Sequence, residues 1–309
     1  MRICIVGCGA MGSIYAALLA SADHEVAVID PYTAHIDAIN SQGLRVWGAS
    51  GDRTVFLPAA VDADQLNHLA PPDLVVCAVK AGFVQSALPT LDKLTGAQTR
   101  LLTIQNGLGS AQAIAEHLGA ERLIVGIAQG FGASLTAPGT AHHNSMKAIR
   151  MGAYDSLAQD QVEEIAMLWR HAGFDAQAEQ DIVAMQWSKL ICNVAYSAPC
   201  AIAGLTVGEV LQHPQMQLLS RAAAYEAHSV ARALNVNLPF ADVDQQIHQF
   251  AQGMPDAKPS VLIDIEHGRP SEIDVINGAI ATAARKVGLD APINAALTTL
   301  VKALEATQN

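Results

Sequence analysis

Charged residues are scarce in this sequence, and basic residues are the scarcer kind. Only 15% of the 309 residues are charged, and the 18 Lys and Arg residues are outnumbered by 29 Asp and Glu residues. The formal net charge of −11 disfavours nucleic acid as a partner, because a polyanion would be repelled. An anionic small molecule would therefore need local positive charge in order to bind.

Long apolar runs, metal-binding histidine motifs and Cys-x-x-Cys pairs are also absent from the sequence. No stretch of about 18 uncharged apolar residues occurs, so we predict no membrane-spanning helix. The histidines lack the spacing of a metal site, and no Cys-x-x-Cys pair occurs among Cys4, Cys8, Cys77, Cys192 and Cys200. The first residues already form a predicted strand, which leaves no room for a signal peptide, and we expect a cytoplasmic protein.

A glycine-rich turn lies between the first predicted strand and the first predicted helix. Residues Arg2–Val6 form a short apolar run rich in β-branched side chains, which is typical of a buried strand. Three glycines follow with the spacing of dinucleotide-binding turns, which need a tight turn, close approach of a pyrophosphate and close helix packing. The helix N-terminus would attract the phosphates, and the expected diphosphate-binding residues are Gly7, Gly9, Ala10, Met11 and Gly12.

An acidic residue, Asp30, ends the second predicted strand. A carboxylate at this position accepts hydrogen bonds from the ribose hydroxyls of NAD and would repel the 2′-phosphate of NADP. The next three residues, Pro31, Tyr32 and Thr33, include no Lys or Arg that could bind such a phosphate. The sequence therefore favours NAD(H), with NADP(H) as the alternative. On a second interpretation, Asp30 serves only the turn before Pro31.

The arrangement of apolar segments predicts two domains. In the first half, short apolar runs alternate with amphipathic segments, which predicts an α/β fold with a Rossmann-type doubly wound parallel sheet. Short strands over residues 130–152 are predicted to form an antiparallel edge of that sheet. Helical periodicity then dominates, with helices at 160–172, 181–203, 215–235, 241–253, 260–267, 272–287 and 292–306. We predict a dinucleotide-binding domain at 1–178 and an all-α substrate and catalytic domain at 179–309.

Polar side chains in two regions are candidates for chemistry. Lys80 and Asn106 follow predicted strands at the sheet edge where ligands bind, although each could be an ordinary loop or turn residue. Lys189, Asn193 and Ser197 are spaced by four residues and therefore share one face of a helix. An ammonium in so apolar a helix needs a partner or a function, unless its stem crosses the surface and its head reaches water.

Two serines and an acid in the last third of the chain have a purely structural interpretation as well. Ser260 follows a proline and could cap a helix, and Ser271 precedes Asp274 by three residues, as in a capping box. Glu272 would then be a first-turn acid that the helix dipole favours. The alternative is that Ser260 and Glu272 belong to a binding site.

These motifs together resemble those of the ketopantoate reductase family, the 2-dehydropantoate 2-reductases, over nearly the whole chain. The resemblance rests on the glycine turn, Val79-Lys80, Gln105-Asn106-Gly107, Lys189-Leu190-x-x-Asn193, Lys258-Pro259-Ser260 and Gly268-Arg269-Pro270-Ser271-Glu272-Ile273-Asp274. It implies a Rossmann-type domain followed by a helical domain. It also implies hydride transfer from NAD(P)H to a branched 2-oxo acid, with ketopantoate as the first candidate substrate.

The resemblance implies a role for each candidate residue. Lys189 would be the general acid that protonates the carbonyl oxygen, and Glu272 would hold that ammonium and help to orient the substrate. We expect partial burial to lower the pKa of Lys189 while Glu272 raises it. The implied substrate-binding residues are Asn106, Asn193, Ser197 and Ser260. The implied cofactor contacts outside the glycine turn and Asp30 are Lys80, Asn106 and Glu272.

Three departures from the family pattern leave the substrate open. Asp30 stands where many members carry a basic residue, and Ser197 and Val207 stand where asparagines are common. Because loss of polar partners weakens recognition of a substrate hydroxyl, the alternative is an NAD-linked D-2-hydroxyacid dehydrogenase of the mandelate type.

The same residues disfavour two further function classes and indicate which partners to expect. A β-hydroxyacid dehydrogenase is disfavoured because no Gly-x-Ser-Gly-Gly type segment occurs between the predicted domains. A dinucleotide-sensing regulator without turnover is disfavoured because Lys189 and Glu272 are both present. We expect a small-molecule substrate, no nucleic-acid or membrane partner, no metal, and a homodimer as one option for assembly.

Overall fold

The computed structural model describes residues 1–146 and 148–307 and divides into two compact units. Unit 1 comprises Met1–Gln105 and Ser110–Ile182, and unit 2 comprises Asn106–Gly109 and Val183–Asn309. An α/β unit followed by a helical unit confirms the predicted fold class. The domain boundary between residues 178 and 179 stays a prediction, and the predicted end at residue 309 lies outside the described residues.

The described part of unit 1 contains twelve strands in two sheets. They are β1 (Arg2–Val6), β2 (Glu25–Ile29), β3 (Leu44–Gly48), β4 (Arg53–Val55), β5 (Ala59–Ala60), β6 (Leu74–Cys77), β7 (Arg100–Thr103), β8 (Leu123–Gln129), β9 (Gly132–Ala137), β10 (Thr140–Ser145), β11 (Ala148–Ala153) and β12 (Ala176–Ala178). The larger sheet has the order β12-β11-β8-β7-β6-β1-β2-β5. Its neighbouring strands are parallel except for β8 and β11, which confirms the doubly wound parallel sheet.

The hairpin of β9 and β10 corrects the prediction of one antiparallel edge over residues 130–152. These two strands form a second sheet of order β4-β3-β10-β9, in which β10 pairs in parallel with β3. Of the described strands in that range, only β11 joins the larger sheet, antiparallel to β8. The pairing of β10 with β3 joins segments far apart in the chain, which local patterns cannot indicate.

The helices of unit 1 place the glycine turn at the carboxyl end of β1. They are α1 (Ala10–Ser21), α2 (Thr33–Gln42), α3 (Val84–Leu94), α4 (Ser110–Leu118) and α5 (Gln159–His171). Helix α1 packs against strands of both sheets, including β2 and β9. Its side chains are therefore buried on nearly every side, and its sequence is correspondingly apolar all round.

The helical prediction for the second half is largely confirmed. The described helices are α6 (Ile182–Ala203), α7 (Val207–Gln212), α8 (Pro214–Ala233), α9 (Val243–Gln252), α10 (Ser260–Glu266), α11 (Asn277–Lys286) and α12 (Pro292–Thr307). The short helix α7 was not predicted; Thr206 and Glu209 start it with a reciprocal capping box. Helix α11 begins at Asn277 rather than at residue 272. No helix in the described ranges is both long and apolar enough to cross a bilayer.

Candidate active site

The glycine turn of unit 1 has the geometry of an anion-binding helix start. Gly7 follows β1 with φ of +95°, a conformation that L side chains rarely adopt. A Cβ at Gly12 would overlap the carbonyl oxygen of Gly7, so α1 approaches the turn closely. Around Gly9, the N-cap of α1, a Cβ would meet nothing within 4 Å, and no side chain caps the helix. The backbone N–H groups that open α1 are therefore accessible to a phosphate.

Asp30 lies directly after β2, and the hydrogen bonds of its two carboxylate oxygens differ. Its Oδ1 atom accepts a hydrogen bond of 2.9 Å from the backbone N–H of Tyr32, so the carboxylate does support the turn. Its Oδ2 atom accepts no hydrogen bond from residues 1–146 or 148–307. A half-exposed carboxylate oxygen at this sheet edge suits a ribose hydroxyl.

The two strand ends beside the glycine turn carry Lys80 and Gln105. Strand β6 ends at Cys77 rather than at Val79, and exposed Lys80 begins a 3₁₀ turn, Ala81–Phe83. The amide nitrogen of Gln105 donates to the carbonyl oxygens of Cys77, at 2.7 Å, and Val79, at 3.0 Å. Gln105 thus ties the ends of β6 and β7 together, which is a structural role.

In unit 2, Asn106, Lys189 and Glu272 form one hydrogen-bonded set. The ammonium of Lys189 donates to Asn106 Oδ1 at 2.8 Å, and Asn106 Nδ2 donates to Glu272 Oε2 at 3.1 Å. The structure therefore brings together the three residues to which the family resemblance assigns the carbonyl chemistry. Asn106 joins the acid and the ammonium through the two ends of its amide.

The segment Asn106–Gly109 is held to unit 2 by its backbone. Leu108 N–H donates to the carbonyl oxygen of Val275 at 3.0 Å, and Gln186 Nε2 donates to the carbonyl oxygen of Gly107 at 3.0 Å. Gly107 has φ of +78°, and a Cβ there would overlap the Val275 carbonyl. Sequence reasoning missed Gln186, although its position three residues before Lys189, on the same helix face, was a usable signal.

The reciprocal capping box predicted for Ser271 and Asp274 does not form, although Ser271 Oγ accepts a hydrogen bond of 3.3 Å from the backbone N–H of Ile273. Ser271 Oγ donates to Glu305 Oε1 at 2.6 Å, and Asp274 pairs with Lys302 at 2.8 Å instead of completing a capping box. Glu272 precedes a 3₁₀ turn, Ile273–Val275, and its side chain makes no capping hydrogen bond. Its carboxylate faces Asn106 and the Lys189 ammonium instead.

A buried asparagine fixes this segment against α6. Asn277 is fully buried, and its Nδ2 atom donates to the carbonyl oxygen of Val194 at 3.1 Å and to Asn294 Oδ1 at 2.9 Å. Because Val194 lies shortly after Lys189 on α6, this bond helps to hold the Glu272 segment in register with the lysine. Its role could not be assigned from the sequence.

Lys189 has the lowered pKa that was expected. Desolvation by burial lowers the pKa of its ammonium from 10.5 to about 8, and the negative charge of Glu272 opposes that shift. Burial has the larger influence because a charged ammonium loses much of its hydration there. The group can therefore act as a proton donor near neutral pH.

The remaining predicted substrate residues lie on two helices. Asn193 and Ser197 follow Lys189 at successive turns of α6, with Asn193 half-buried and Ser197 buried. Ser260 is the exposed first residue of α10, whose N-cap is Pro259, and its hydroxyl does not cap the helix. The predicted capping role of Ser260 is therefore wrong.

Comparison with known proteins gives matches in both units. The sequence profile described as "Ketopantoate reductase PanE/ApbA" matches residues 3–156. The profile "Ketopantoate reductase PanE/ApbA C terminal" matches residues 181–305. The chain is 30% identical over 305 residues to the 2-dehydropantoate 2-reductase of Pyrococcus horikoshii, covering 99% of this chain and 98% of that protein.

Two solved structures show similarity across the full length. A ketopantoate reductase from Ralstonia eutropha JMP134 has a TM-score of 0.90 and 29% identity, covering 100% of this chain and 99% of its own. A D-mandelate dehydrogenase solved with NADH and anilino(oxo)acetate has a TM-score of 0.91 and 25% identity, with the same coverage. Both a 2-oxo acid reductase and a 2-hydroxyacid dehydrogenase are thus similar to this chain.

Proposed function

This chain belongs to the ketopantoate reductase family, and we propose that it reduces 2-dehydropantoate to D-pantoate with NADH. Members of the family are NAD(P)-dependent oxidoreductases. The observation that carries the proposal is the hydrogen-bonded set of Asn106, Lys189 and Glu272. It presents a proton donor with a pKa of about 8, as reduction of a ketone requires.

The residues of unit 1 fit a dinucleotide, and their charge favours NADH. The open backbone N–H groups at Ala10 and Met11 would bind the diphosphate, because the N-terminus of α1 attracts anions. Asp30 would accept hydrogen bonds from the ribose hydroxyls through Oδ2 and would repel a 2′-phosphate. When bound, the reduced nicotinamide supplies the hydride. The proposed cofactor contacts of Lys80, Asn106 and Glu272 follow from the family resemblance.

Lys189 would stabilise and then protonate the carbonyl oxygen as negative charge develops on it. An ammonium has three N–H donors, of which one is held by Asn106 Oδ1, so this bond orients the others. Glu272 keeps the lysine protonated against the effect of burial. Asn106 and Glu272 therefore prepare the donor before substrate binds, which lowers the cost of ordering it in the reaction.

Substrate binding is assigned to residues of the same unit. We propose that Asn193, Ser197 and Ser260 bind the carboxylate and the hydroxyl end of the oxo acid, together with Asn106. Support comes from the position of Asn193 and Ser197 at successive turns after Lys189 and from the Ser260 hydroxyl, which does not serve as a helix cap. These groups can donate hydrogen bonds to a carboxylate.

A second candidate function is that of an NAD-linked D-2-hydroxyacid dehydrogenase of the mandelate type. It is favoured by the similarity to a D-mandelate dehydrogenase and by Ser197 and Val207 at positions where asparagine is common. Fewer amide partners would weaken the preference for a substrate that carries a terminal hydroxyl.

The test is an NADH- and NADPH-oxidation assay with ketopantoate, 3-methyl-2-oxobutanoate and phenylglyoxylate. We expect the highest kcat/KM with NADH and ketopantoate. A preference for phenylglyoxylate would favour the second candidate, and a preference for NADPH would contradict the role given to Asp30.

Lys189→Met should lower kcat by about 10²–10⁴-fold, since a positioned acid contributes that much. The control Lys286→Met removes an exposed lysine of α11 and should leave kcat unchanged.

A further inference from the structure

A buried histidine lies behind the glycine turn of unit 1, and the proposed reaction does not use it. His35, on α2, is fully buried, and its ring stacks on Tyr32 with an interplanar angle of 4°. Its Nε2 atom lies 3.3 Å from Ser13 Oγ and 3.8 Å from Cys8 Sγ. His35 thus contacts both the turn and the first part of α1.

The hydrogen bonds of His35 fix which ring nitrogen carries the proton. The backbone N–H of Gly139, in the turn between β9 and β10, donates to His35 Nδ1 at 2.9 Å. Nδ1 must therefore be unprotonated, and in the neutral ring the proton lies on Nε2. Nε2–H then donates to Ser13 Oγ, and the Ser13 hydroxyl in turn donates to the carbonyl oxygen of Cys8 at 3.2 Å.

This chain of hydrogen bonds ends on the peptide that links Cys8 to Gly9. In a trans peptide the C=O and N–H groups point in opposite directions, and this protein has no cis peptide among its described residues. With the Cys8 carbonyl held towards the buried His35 and Ser13, the Gly9 N–H points to the opposite side of the peptide, and Gly9 is partly exposed. The space around Gly9 is open, with nothing within 4 Å of a Cβ placed there.

We propose that His35 is a positioning residue for dinucleotide binding: through Ser13 it holds the Cys8–Gly9 peptide with its N–H directed at the diphosphate. The inference rests on the proposed function, because it assigns that diphosphate to the turn. A purely structural His35 would contribute to stability without any preference for ligands that contain phosphate.

Two substitutions separate the two hydrogen bonds of the ring. In His35→Gln, the amide nitrogen can take the place of Nε2 and donate to Ser13. In His35→Asn, the shorter amide can take the place of Nδ1 and accept from Gly139 but cannot reach Ser13. The matched control is His143→Asn, because His143 is also fully buried in unit 1 and hydrogen-bonds Ser50, away from the turn.

The experiment measures the Kd values of NADH, ADP and adenosine by titration at one temperature below every unfolding transition. We expect His35→Asn to raise the Kd of NADH and ADP by about tenfold, the effect of one hydrogen bond, and to leave adenosine unchanged. KM for NADH should rise with it, while kcat at saturating NADH stays within about twofold. His35→Gln should remain within about threefold of the wild type, and His143→Asn should match it.

The outcomes that would overturn the inference are distinct from failure of the proposed function. The inference would be overturned if His35→Asn raised the Kd of ADP and of adenosine equally, or if His35→Asn and His143→Asn changed the Kd values equally. His35 would then have only a structural role. If His35→Asn does not fold, Ser13→Ala must raise the Kd of ADP and not that of adenosine, and no change would overturn the inference. A wild-type protein that binds no NADH would instead contradict the proposed function itself.

Discussion

At the residue scale, the protonation of Lys189 depends on two opposing influences. Burial in α6 lowers the pKa of the ammonium to about 8, while the carboxylate of Glu272 raises it. Asn106 lies between the two groups and bonds to both of them. The reactivity of Lys189 therefore depends on the negative charge of Glu272 and not only on the hydrogen bond that a side chain at this position can make.

The pH dependence of the reduction should show this balance. Because the ammonium form donates the proton, we expect kcat/KM for the oxo acid to fall as pH rises above about 8. Glu272→Gln removes the charge that raises the pKa of Lys189, so the falling limb should move to lower pH. The measurement is kcat/KM from pH 6 to 10 at saturating NADH.

A carboxylate on the same segment provides the control for that measurement. Asp274 pairs with Lys302 on the protein surface. Asp274→Asn removes one negative charge without changing the contacts of Lys189, and we expect the limb to stay in place. A limb that moves to higher pH in Glu272→Gln, or that moves equally in both variants, would contradict the assigned coupling.

At the scale of structural elements, the site depends on the short segment Asn106–Gly109. This segment leaves the sheet strand β7 and is held by one backbone hydrogen bond, from Leu108 to Val275, and by the side chain of Gln186. The segment around Glu272 is held in turn through Asn277, which bonds to the Val194 carbonyl of α6. Three separate pieces of chain thus fix the positions of Asn106, Glu272 and Lys189.

Gly107→Ala should damage the site through this segment. The added Cβ would overlap the Val275 carbonyl and push Asn106 away from Lys189, so we expect kcat/KM to fall by about tenfold or more. Gly109→Ala is a matched control: Gly109 also has positive φ, at +102°, but a Cβ there meets nothing within 4 Å. The Gly109→Ala variant has a similar backbone strain of about 1 kcal/mol but no overlap of its Cβ with another residue. Equal losses of kcat/KM in the two variants would contradict the importance of the contact with Val275.

At the scale of the whole molecule, buried and half-buried histidines in both units link stability to pH. Burial lowers the pKa of four histidines from the ordinary value of 6.5, namely His24, His35, His143 and His228. Below pH 6.5 the unfolded chain binds protons that the folded histidines do not yet bind. This contribution to stability is therefore present above pH 6.5 and is lost as the pH falls through the lowered folded pKa values.

Acidification from pH 7.5 to 5.5 should accordingly lower the Tm of the wild-type protein, measured by circular dichroism or calorimetry. His143→Gln removes one of the four groups, so its Tm should fall less over the same range, whatever its starting value. His117→Gln, at an exposed position on α4, is the control and should show the slope of the wild type. A Tm that is constant or that rises on acidification would contradict the lowered pKa values of these histidines in the folded protein.

How much of the fold and of the site could be predicted depends on how many residues each sequence signal spans. The strand, glycine turn and helix at Arg2–Ser21 were predicted because apolar periodicity and glycine spacing act within about one element. The helix that carries Lys189 and Asn193 was predicted for the same reason. The apparent capping box at Ser271 misled because its residues bond instead to Glu305 and Lys302, far along the chain.

The sequence by itself determined most of the helices, the glycine turn of unit 1 and the lysine helix of unit 2, since backbone sterics and side-chain periodicity are local properties. Only the tertiary structure decided that Asn106, Lys189 and Glu272 share hydrogen bonds, and that His35 reaches the Cys8 peptide through Ser13. Such contacts join residues that are distant in the chain, and they form only when packed helices and strands bring their side chains within hydrogen-bond range.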